Sequence, residues 1–428
     1  MDTIYALSTA PGKAGVAIVR VSGPLAFEAA TRLCASLPEP RRAARRTFVG
    51  SDSTPIDDAL VLTFEEGASF TGEQVVEFHT HGSVAVTTAL LAELGRIARF
   101  RAAEPGEFTR RALENGQLDL AQVEGLADLI EAETDAQRRQ ALRVLSGDLG
   151  KRADIWRSHL IRAAALLEAT IDFADEEVPV DVSPEVTNLL STVTQDLQRE
   201  IDGVAVAERV RAGFEVAIVG RPNAGKSTLL NALAGRDAAI TSEYAGTTRD
   251  VIEVRMDLNG VPVTLLDTAG LRETDDAVEA IGVERARTRA QAADVRVFLV
   301  EPGELPDLDV EPNDLVLISK IDRRPGAGQG VSGKTGAGLS DLMESLSDTF
   351  GKMSVNDGVA TRLRHQDAME RGLARIGLAQ DALNSWDDQS ELAAEELRGA
   401  VRALDSLVGR IDIENVLDEI FASFCLGK

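Results

Sequence analysis

The sequence predicts a multidomain protein that combines α/β and all-α segments, and three patterns along the chain support this. Residues 1–116 alternate strand-like runs with Gly and Pro turns. Residues 213–352 alternate apolar runs with helical patterns, as in a sheet whose strands are joined by helices. The segments 117–212 and 353–428 have apolar residues at three- and four-residue intervals. Because these two helical blocks can bury their apolar faces on each other, the α/β segment is predicted to be inserted into one helical domain.

Composition limits the class of protein. With 44% apolar residues the chain can bury ordinary cores, and no apolar run approaches the ~20 residues of a membrane span. The sequence begins without a signal-peptide pattern, and Cys34 and Cys425 have no metal-site spacing, so we expect a reduced, cytoplasmic protein. The formal net charge of −25 argues against indiscriminate nucleic-acid binding, because phosphate contacts require clustered Lys and Arg.

The most specific motif is GRPNAGKS at Gly220–Ser227, which satisfies the phosphate-loop pattern G-x-x-x-x-G-K-[ST]. A strand-like run precedes it and a helix-like run follows it, which is the context that the motif requires. Backbone N–H groups of such a loop surround phosphates, Lys226 is predicted to reach the β- and γ-phosphates, and the Ser227 hydroxyl to hold Mg²⁺. The predicted contacts of this loop are Asn223, Ala224, Gly225, Lys226, Ser227 and Thr228.

Two later motifs are predicted to complete the phosphate side of the site. Asp267 ends an apolar run and is predicted to support Mg²⁺, while Gly270 allows the backbone to approach the γ-phosphate. Between the motifs, GTTRD at Gly246–Asp250 is predicted to be a switch segment whose Thr hydroxyl completes the Mg²⁺ shell.

The segment Ser319–Asp322 is predicted to select the base. The Asp322 carboxylate can accept hydrogen bonds from N1–H and the 2-amino group of guanine, and adenine has neither donor. The usual guanine pattern is N-K-x-D, so Ser319 removes one amide contact, which bears on affinity more than on specificity. Ser332–Lys334 resembles the last base-contacting loop of such sites. The ordered set predicts a GTP-binding domain whose base contacts are Ser319, Lys320, Asp322, Ser332, Gly333 and Lys334.

Catalysis is predicted to differ from that of many GTPases. Leu271 stands where a water-positioning Gln is common. Asn223 and the switch segment can surround a monovalent cation where an arginine finger would act, and Arg249 and Arg272 remain candidates for such an arginine. Glu279 is a candidate for orienting water, although its spacing alone is more typical of a solvated helix residue.

Polar residues on two N-terminal strands form a second candidate site. Arg20 lies near the end of the strand-like run Gly15–Val21 and can bind a carboxylate with its planar fork, or form a surface or internal ion pair. Glu77, His79 and His81 share one strand face. A zinc site, a polar ligand pocket and structural histidines are all open interpretations, but no fourth zinc ligand accompanies them.

Together these motifs resemble the tRNA uridine-5-carboxymethylaminomethyl modification GTPase family, MnmE (also called TrmE). The resemblance covers essentially the whole chain. It includes GRPNAGKS, GTTRD, DTAGLRE, the N-terminal PGKAGVAIVRVSG, FTGE with VVEFHTHG, PGEFTRRALENGQLDLAQVEGLADLI, and the terminal Cys425–Lys428. Ser319 and Gln117 depart from the family, which usually has Asn and Lys at these positions.

The resemblance implies a K⁺-stimulated GTPase that works as a homodimer with paired G domains. With the FAD-containing partner MnmG (GidA), in an expected heterotetramer, it would modify C5 of the tRNA wobble uridine. A tetrahydrofolate derivative, 5-formyl- or 5,10-methylene-tetrahydrofolate, would supply the one-carbon unit. One alternative is a ribosome-associated GTPase that acts as an RNA-binding switch, but the acidic C-terminal block offers no basic RNA-binding appendage. The other, a signalling GTPase, leaves the N-terminal domain unexplained.

The resemblance also implies roles for individual residues. It places K⁺ ligands at Asn223, Ser242, Tyr244 and Thr247, Mg²⁺ ligands at Ser227 and Thr248, and the catalytic glutamate at Glu279. Further implied nucleotide contacts are Ser242, Tyr244, Ala245, Gly246, Thr247, Thr248, Asp267, Thr268, Ala269 and Gly270.

The implied domains are an N-terminal folate-binding and dimerisation domain at 1–116, a helical domain at 117–212 and 353–428, and a Ras-like G domain at 213–352. The implied folate contacts are Arg20, Glu77, Gln117 and Lys428. Glu77 suits the donors of an aminopterin ring, and Gln117 can keep a polar contact but not a charge. Cys425 is either a reactive thiol or a packing residue.

Overall fold

The computed structural model describes residues 2–172, 182–221, 223–236, 239–240, 253–267, 288, 291–306, 308–324, 328–354, 358–385, 389–410, 421, 424 and 427. The chain divides into two compact units. The first comprises residues 1–127, 150–153 and 404–428, and the second comprises residues 128–149 and 154–403. Within the described ranges, no helix combines the length and the apolar character that crossing a membrane requires.

The first unit is built on a six-stranded sheet in the order β3-β4-β5-β2-β1-β6. Its strands are β1 (Thr3–Leu7), β2 (Ala14–Ser22), β3 (Ala44–Val49), β4 (Pro55–Phe64), β5 (Val75–Gly82) and β6 (Phe100–Ala102). All neighbours pair antiparallel except β1 and β6, which are parallel. In β2, Val19 and Val21 are buried in the core, so Ile18 and Arg20 lie on the opposite face. The alternation therefore leaves Arg20 on the face away from the main core.

Four helices accompany this sheet: α1 (Ala26–Cys34), α2 (Val84–Gly95), α3 (Glu107–Glu114) and α4 (Leu120–Glu131). Residues of α1 and α2 fill the main core together with β2. Phe108 of α3 packs with Ile4 and Phe70 in a smaller cluster. Near the end of the chain, Phe421 and Phe424 pack against Val123 of α4, so C-terminal residues belong to this N-terminal unit.

The second unit contains a sheet in the order β12-β11-β10-β7-β9-β8. Its strands are β7 (Phe214–Gly220), β8 (Glu253–Leu258), β9 (Val261–Asp267), β10 (Val295–Val300), β11 (Leu315–Ser319) and β12 (Gly330–Val331). Only β8 pairs antiparallel. The helices α8 (Lys226–Ala234) and α9 (Leu339–Met353) bury Leu230 and Phe350 in its core. This arrangement is the predicted α/β sheet.

The remaining helices of the second unit are α5 (Asp135–Leu145), α6 (Asp148–Asp172), α7 (Ser183–Ala212), α10 (Leu363–Leu383) and α11 (Ser390–Asp405). Helix α7 precedes the sheet and α10 follows it, and the two pack on each other. The predicted class of mixed α/β and all-α segments is confirmed. The pair Ser183-Pro184 is typical of a helix start with Ser as the N-cap, but Val182 is the cap and Ser183 is the first helical residue. Pro184 lies in the first turn, where no backbone donor is needed.

A buried carboxylate binds the backbone of the segment that leads into α10. Glu200 in α7 is 1% exposed and accepts hydrogen bonds from the backbone N–H groups of Val359 (2.9 Å) and Ala360 (3.3 Å). These donors would otherwise be buried without an acceptor, which costs about 1–3 kcal/mol for each group. The side chain therefore joins two segments that are far apart in sequence.

Glu200→Ala is expected to lower the free energy of unfolding by about 1–3 kcal/mol, because it leaves buried backbone donors unpaired. Asp202→Ala, which removes an exposed carboxylate from the same helix, is the matched control and should change stability little. Urea unfolding followed by circular dichroism measures both. Equal midpoints for the two variants would contradict the role of Glu200.

Candidate functional site

The predicted nucleotide residues lie along one edge of the second sheet. The phosphate loop follows β7, Asp267 ends β9, and Ser319 ends β11. The register pairs Ile218 of β7 with Asp267, and Leu299 of β10 with Gly220. Because parallel strands end at the same edge, these three segments meet there although they are distant in sequence.

The phosphate loop has the backbone conformation that its motif requires. Asn223 and Gly225 have φ values of 63° and 103°, and α8 begins at Lys226. The Lys226 ammonium donates to the carbonyl oxygens of Gly220 (2.5 Å) and Arg221 (3.1 Å). Burial lowers the pKa of Lys226, and the negative charge of Asp267 opposes that shift. Lys226 is thus held over the loop, where phosphate oxygens can replace the two carbonyls.

Oxygen ligands suited to Mg²⁺ lie at the same edge. Ser227 is in the first turn of α8, and the Asp267 carboxylate is 4% exposed at the end of β9. Hydroxyl and carboxylate oxygens are the ligands that this hard cation prefers. The described residues therefore fit Mg²⁺ bound beside the phosphates.

A pocket lies between the phosphate loop and the loops that follow β11 and β12, and the predicted base contacts line it. Lys320 has a φ of 55°, and its ammonium donates to the carbonyl oxygen of Asn223 at 2.5 Å, which joins the base loop to the phosphate loop. A hydrogen bond from the Ser332 hydroxyl lowers the pKa of Asp322, so the carboxylate is an acceptor at neutral pH. The pocket is lined by Ala224, Gly225, Thr228, Leu229, Leu299, Ser319, Lys320, Asp322, Arg323, Val331, Ser332, Gly333 and Lys334.

Two small residues determine the shape of this pocket. A Cβ atom on Gly333 would lie 2.6 Å from the backbone of Thr228, so only glycine allows the loop after β12 to approach α8 this closely. Ser319 is 3% exposed. The structure thus brings together the predicted base contacts Ser319, Lys320, Asp322, Ser332, Gly333 and Lys334 with Ala224, Gly225 and Thr228 of the phosphate loop.

Several predicted site residues lie outside the described residues. They are Ser242, Tyr244, Ala245, Gly246, Thr247, Thr248, Arg249, Thr268, Ala269, Gly270, Leu271, Arg272, Glu279, Cys425 and Lys428. The segment that contains the predicted switch begins and ends beside β8, because Ile240 donates its N–H to Arg255 (2.8 Å) and β8 starts at Glu253.

In the first unit, Arg20 and Glu77 face each other across β2 and β5. The Arg20 guanidinium donates to one Glu77 oxygen from Nε (3.0 Å) and Nη2 (2.9 Å). The rings of Phe70 and Phe108 lie 5.4 and 5.7 Å from the Arg20 Cζ atom. Burial alone would raise the pKa of Glu77, but hydrogen bonds from His79 and Arg20 and their charges outweigh it, so this pKa is lowered. Glu77 is therefore an ionised acceptor beside a cation.

The histidines do not gather into a zinc site. His79 Nε2 lies 3.1 Å from Glu77, whereas His81 Nδ1 lies 2.8 Å from Asp57 on the neighbouring strand β4. Across the described residues, no group of three or more His, Cys, Asp or Glu side chains is arranged to hold a metal ion. The two histidines on this face therefore have different carboxylate partners, Glu77 for His79 and Asp57 for His81.

Gln117 and the end of the chain lie in the same unit. A Cβ atom on Gly72 would lie 3.2 Å from Gln117 Cγ, so Gln117 borders the loop that carries Phe70. Gly427 accepts a hydrogen bond from the Ser8 hydroxyl (2.9 Å), and its Cα lies close to the carbonyl of Leu7. Leu7 pairs with Val19, the neighbour of Arg20. The residue before Lys428 is therefore next to the strand pair that carries Arg20.

Neither the aromatic residues around Arg20 nor the hydrogen bond between Lys320 and Asn223 has a signal in the sequence. Phe70 and Phe108 occur in the motifs FTGE and PGEFTRR. Neither motif identifies Arg20 as the cation that these rings contact. A cation over an aromatic face gains electrostatic stabilisation. Only the folded chain shows which cation each ring contacts.

Two family models match consecutive parts of the chain. A family model described as GTP-binding protein TrmE N-terminus matches residues 3–117, and one described as MnmE helical domain matches residues 120–425. The chain is 59% identical over 428 residues to the tRNA modification GTPase MnmE of Roseobacter denitrificans, with 100% of both chains covered. It is 60% identical over 429 residues to the protein of the same name from Cereibacter sphaeroides, again with both chains fully covered.

Solved structures give more limited similarity. Era of Aquifex aeolicus bound to GDP and AlF4⁻ is 27% identical, with 38% of this chain and 67% of that chain covered and a TM-score of 0.25. The G domain of the Thermotoga maritima iron transporter FeoB is 23% identical, with 32% and 98% covered and a TM-score of 0.23.

Asp322→Asn is expected to weaken GTP binding by roughly a hundredfold or more, because two charge-assisted hydrogen bonds to guanine are lost. The new amide can donate to the 2-oxo group of xanthine, so XTP should bind better than GTP in this variant. Fluorescence titration with labelled GDP and XDP measures the change. Asp341→Asn, in the first turn of α9, is the control. Unchanged preference for guanine would remove Asp322 from the base site.

Proposed function

The chain belongs to the MnmE family of tRNA modification GTPases, and from this we propose that it hydrolyses GTP within a reaction that modifies C5 of the tRNA wobble uridine. The observation that carries the GTPase part is the convergence of the phosphate loop, Asp267 and the guanine loop at one sheet edge. The tRNA part rests on full-length similarity that includes the N-terminal unit. A cytoplasmic location follows from the proposed substrate.

We propose that bound cations supply the positive charge that an arginine finger supplies in other GTPases. Ser227, Asp267 and Thr248 would hold Mg²⁺, which would neutralise charge between the β- and γ-phosphates. Asn223, Ser242, Tyr244 and Thr247 would hold K⁺ where an arginine finger acts in other GTPases. Leu271 has no group that orients water, so Glu279 would do this.

Pairing of two G domains in a homodimer would complete the catalytic site. Contact with a second copy would close the segment after Ile240 and order Thr248 near the phosphates. The same closure would bring Glu279 towards the attacking water. This mechanism would make GTP hydrolysis depend on both the monovalent cation and the dimer.

We further propose that the first unit binds a tetrahydrofolate derivative, 5-formyl- or 5,10-methylene-tetrahydrofolate, as the one-carbon source. Arg20 and Glu77 support this, because a cation and an ionised acceptor side by side suit a ligand that carries both carboxylates and N–H donors. Gln117 and Lys428 are the other proposed contacts. Cys425 near the same chain end is proposed as a candidate thiol.

The proposed reaction needs a second protein. An FAD-containing partner of the MnmG (GidA) type, in a heterotetramer, would supply the redox chemistry. The formal net charge of −25 favours a division of labour in which the partner provides much of the basic tRNA-binding surface.

Mass spectrometry of tRNA nucleosides tests the proposed function. Cells that lack the gene are expected to lose the C5 modification of wobble uridine, and the wild-type gene should restore it. A gene that encodes Lys226→Ala should fail, and one that encodes Asp341→Asn should succeed. Unchanged wobble uridines in the deletion strain would refute the proposal.

GTP hydrolysis is expected to fall strongly when Na⁺ replaces K⁺, because the smaller ion fits the proposed oxygen cage poorly. Glu279→Ala should lower kcat with little effect on nucleotide binding, since the glutamate would act only in the transition state. Steady-state phosphate release in each salt and nucleotide titration of the variant measure these effects. Equal rates in Na⁺ and K⁺ would exclude the cation mechanism, and a fully active Glu279→Ala would exclude the catalytic role.

Arg20→Ala is expected to weaken binding of 5-formyl-tetrahydrofolate about ten- to a hundredfold, the usual consequence of losing a charge-assisted contact. Isothermal titration calorimetry gives the affinity. Arg45→Ala, which removes an exposed arginine from β3 of the same unit, is the control. Equal affinity in Arg20→Ala and Arg45→Ala would remove Arg20 from the site.

A further inference from the structure

A ten-residue loop, Glu65–Gln74, joins β4 to β5 and touches both sides of the proposed folate site. Phe70 of this loop lies 5.4 Å from the Arg20 guanidinium. Gly72 lies against the side chain of Gln117, since a Cβ atom there would be 3.2 Å from Gln117 Cγ. The loop therefore lies against two of the proposed ligand contacts, Arg20 and Gln117.

The loop is anchored by a buried ion pair. Arg111 of α3 donates from Nη1 to both carboxylate oxygens of Glu73, at 3.1 and 2.9 Å. Their side chains are only 10% and 11% exposed. A buried charge without its partner is strongly unfavourable, so each residue fixes the other in place.

Hydroxyl groups extend this anchor to the sheet. The Ser22 hydroxyl of β2 donates to Glu73 (2.7 Å), and the Thr71 hydroxyl lies 2.7 Å from Ser22. Since the single Ser22 proton goes to Glu73, Thr71 donates to Ser22. Asn115 donates its amide to the Thr71 carbonyl at 2.7 Å. The loop is thus tied to β2 two residues beyond Arg20, and to the segment that ends in Gln117.

We propose that Glu73 and Arg111 are positioning residues that hold the loop Glu65–Gln74 in its ligand-ready conformation, with Phe70 beside Arg20 and Gly72 beside Gln117. This inference rests on the proposed folate function. Neither residue needs to touch the ligand, because both use their charged atoms on the anchor. A loop that is ordered in advance does not lose conformational entropy when the ligand binds, so the anchor increases affinity without adding a contact.

The network contains its own control residue. Arg101 pairs with Asp2 and with Glu107, both of which also pair with Arg111, and neither of these two carboxylates belongs to the loop. Removing Arg101 therefore perturbs the same charge cluster while the Glu73–Arg111 anchor stays in place. A general effect of the cluster and a specific effect of the anchor can be separated in this way.

Calorimetry with 5-formyl-tetrahydrofolate and the full chain tests the inference. Glu73→Gln, which keeps the size of the side chain, should weaken binding about tenfold, the equivalent of immobilising one or two further groups. Arg111→Met should weaken it at least as much, and Arg101→Met should bind as the wild type does. GTP hydrolysis and the thermal midpoint are measured on each variant to verify folding.

Hydrogen exchange distinguishes positioning from general destabilisation. In Glu73→Gln without ligand, the amides of Gly67 and Ala68, which are hydrogen bonded within the loop, should exchange faster while the sheet core stays protected. Saturating ligand should restore their protection. Wild-type affinity in Glu73→Gln, equal weakening in Arg101→Met, or faster exchange throughout the unit would each overturn the inference. A wild-type chain that does not bind folate would refute the folate proposal and this inference together.

Discussion

The nucleotide site depends on the parallel pairing of β7 with β9 and β10. This pairing aligns the ends of strands that are far apart in sequence, so the phosphate loop, Asp267 and the base loop meet at one edge. The direct bond from Lys320 to the Asn223 carbonyl then links the base side to the phosphate side. Within this sheet β8 pairs antiparallel with β9.

Paired charges organise the first unit in a comparable way. Arg20 is compensated by Glu77 and Arg111 by Glu73, because an isolated buried charge would be strongly destabilising. The two pairs differ in their surroundings. Arg20 lies between two aromatic rings on the face away from the main core, whereas Arg111 is surrounded by carboxylates and the loop. A ligand that approaches Arg20 meets an existing ion pair, so it must offer both acceptors for the arginine and donors for the glutamate.

Short sequence patterns predicted the features that depend on residues close together in the chain. Phosphate binding requires glycines and a lysine at fixed spacing, and the structure has the phosphate loop between β7 and α8 as the motif indicates. Strand alternation places the buried Val19 and Val21 on one face of β2 and Arg20 on the other. The pattern Ser183-Pro184 indicates the start of α7 only to within one residue, since the preference of Pro184 for the first turn does not specify which neighbour is the cap. The shared face of Glu77, His79 and His81 was also correct, but sheet pairing decided that His81 contacts Asp57.

The sequence by itself determined the class of fold, the strand and helix patterns and the residue types that a guanine nucleotide needs, because each of these depends on short-range spacing. Tertiary structure alone decided which residues share a site. Ser8 and Gly427 are 419 positions apart yet share a hydrogen bond, and Arg111 reaches Glu73 across 38 positions. Neither contact has a periodic signal, since it arises when separate elements bury their surfaces together. Local motifs therefore identify the nucleotide-binding residues from the sequence alone. The residues around Arg20 come together only when strands, loop and chain end pack.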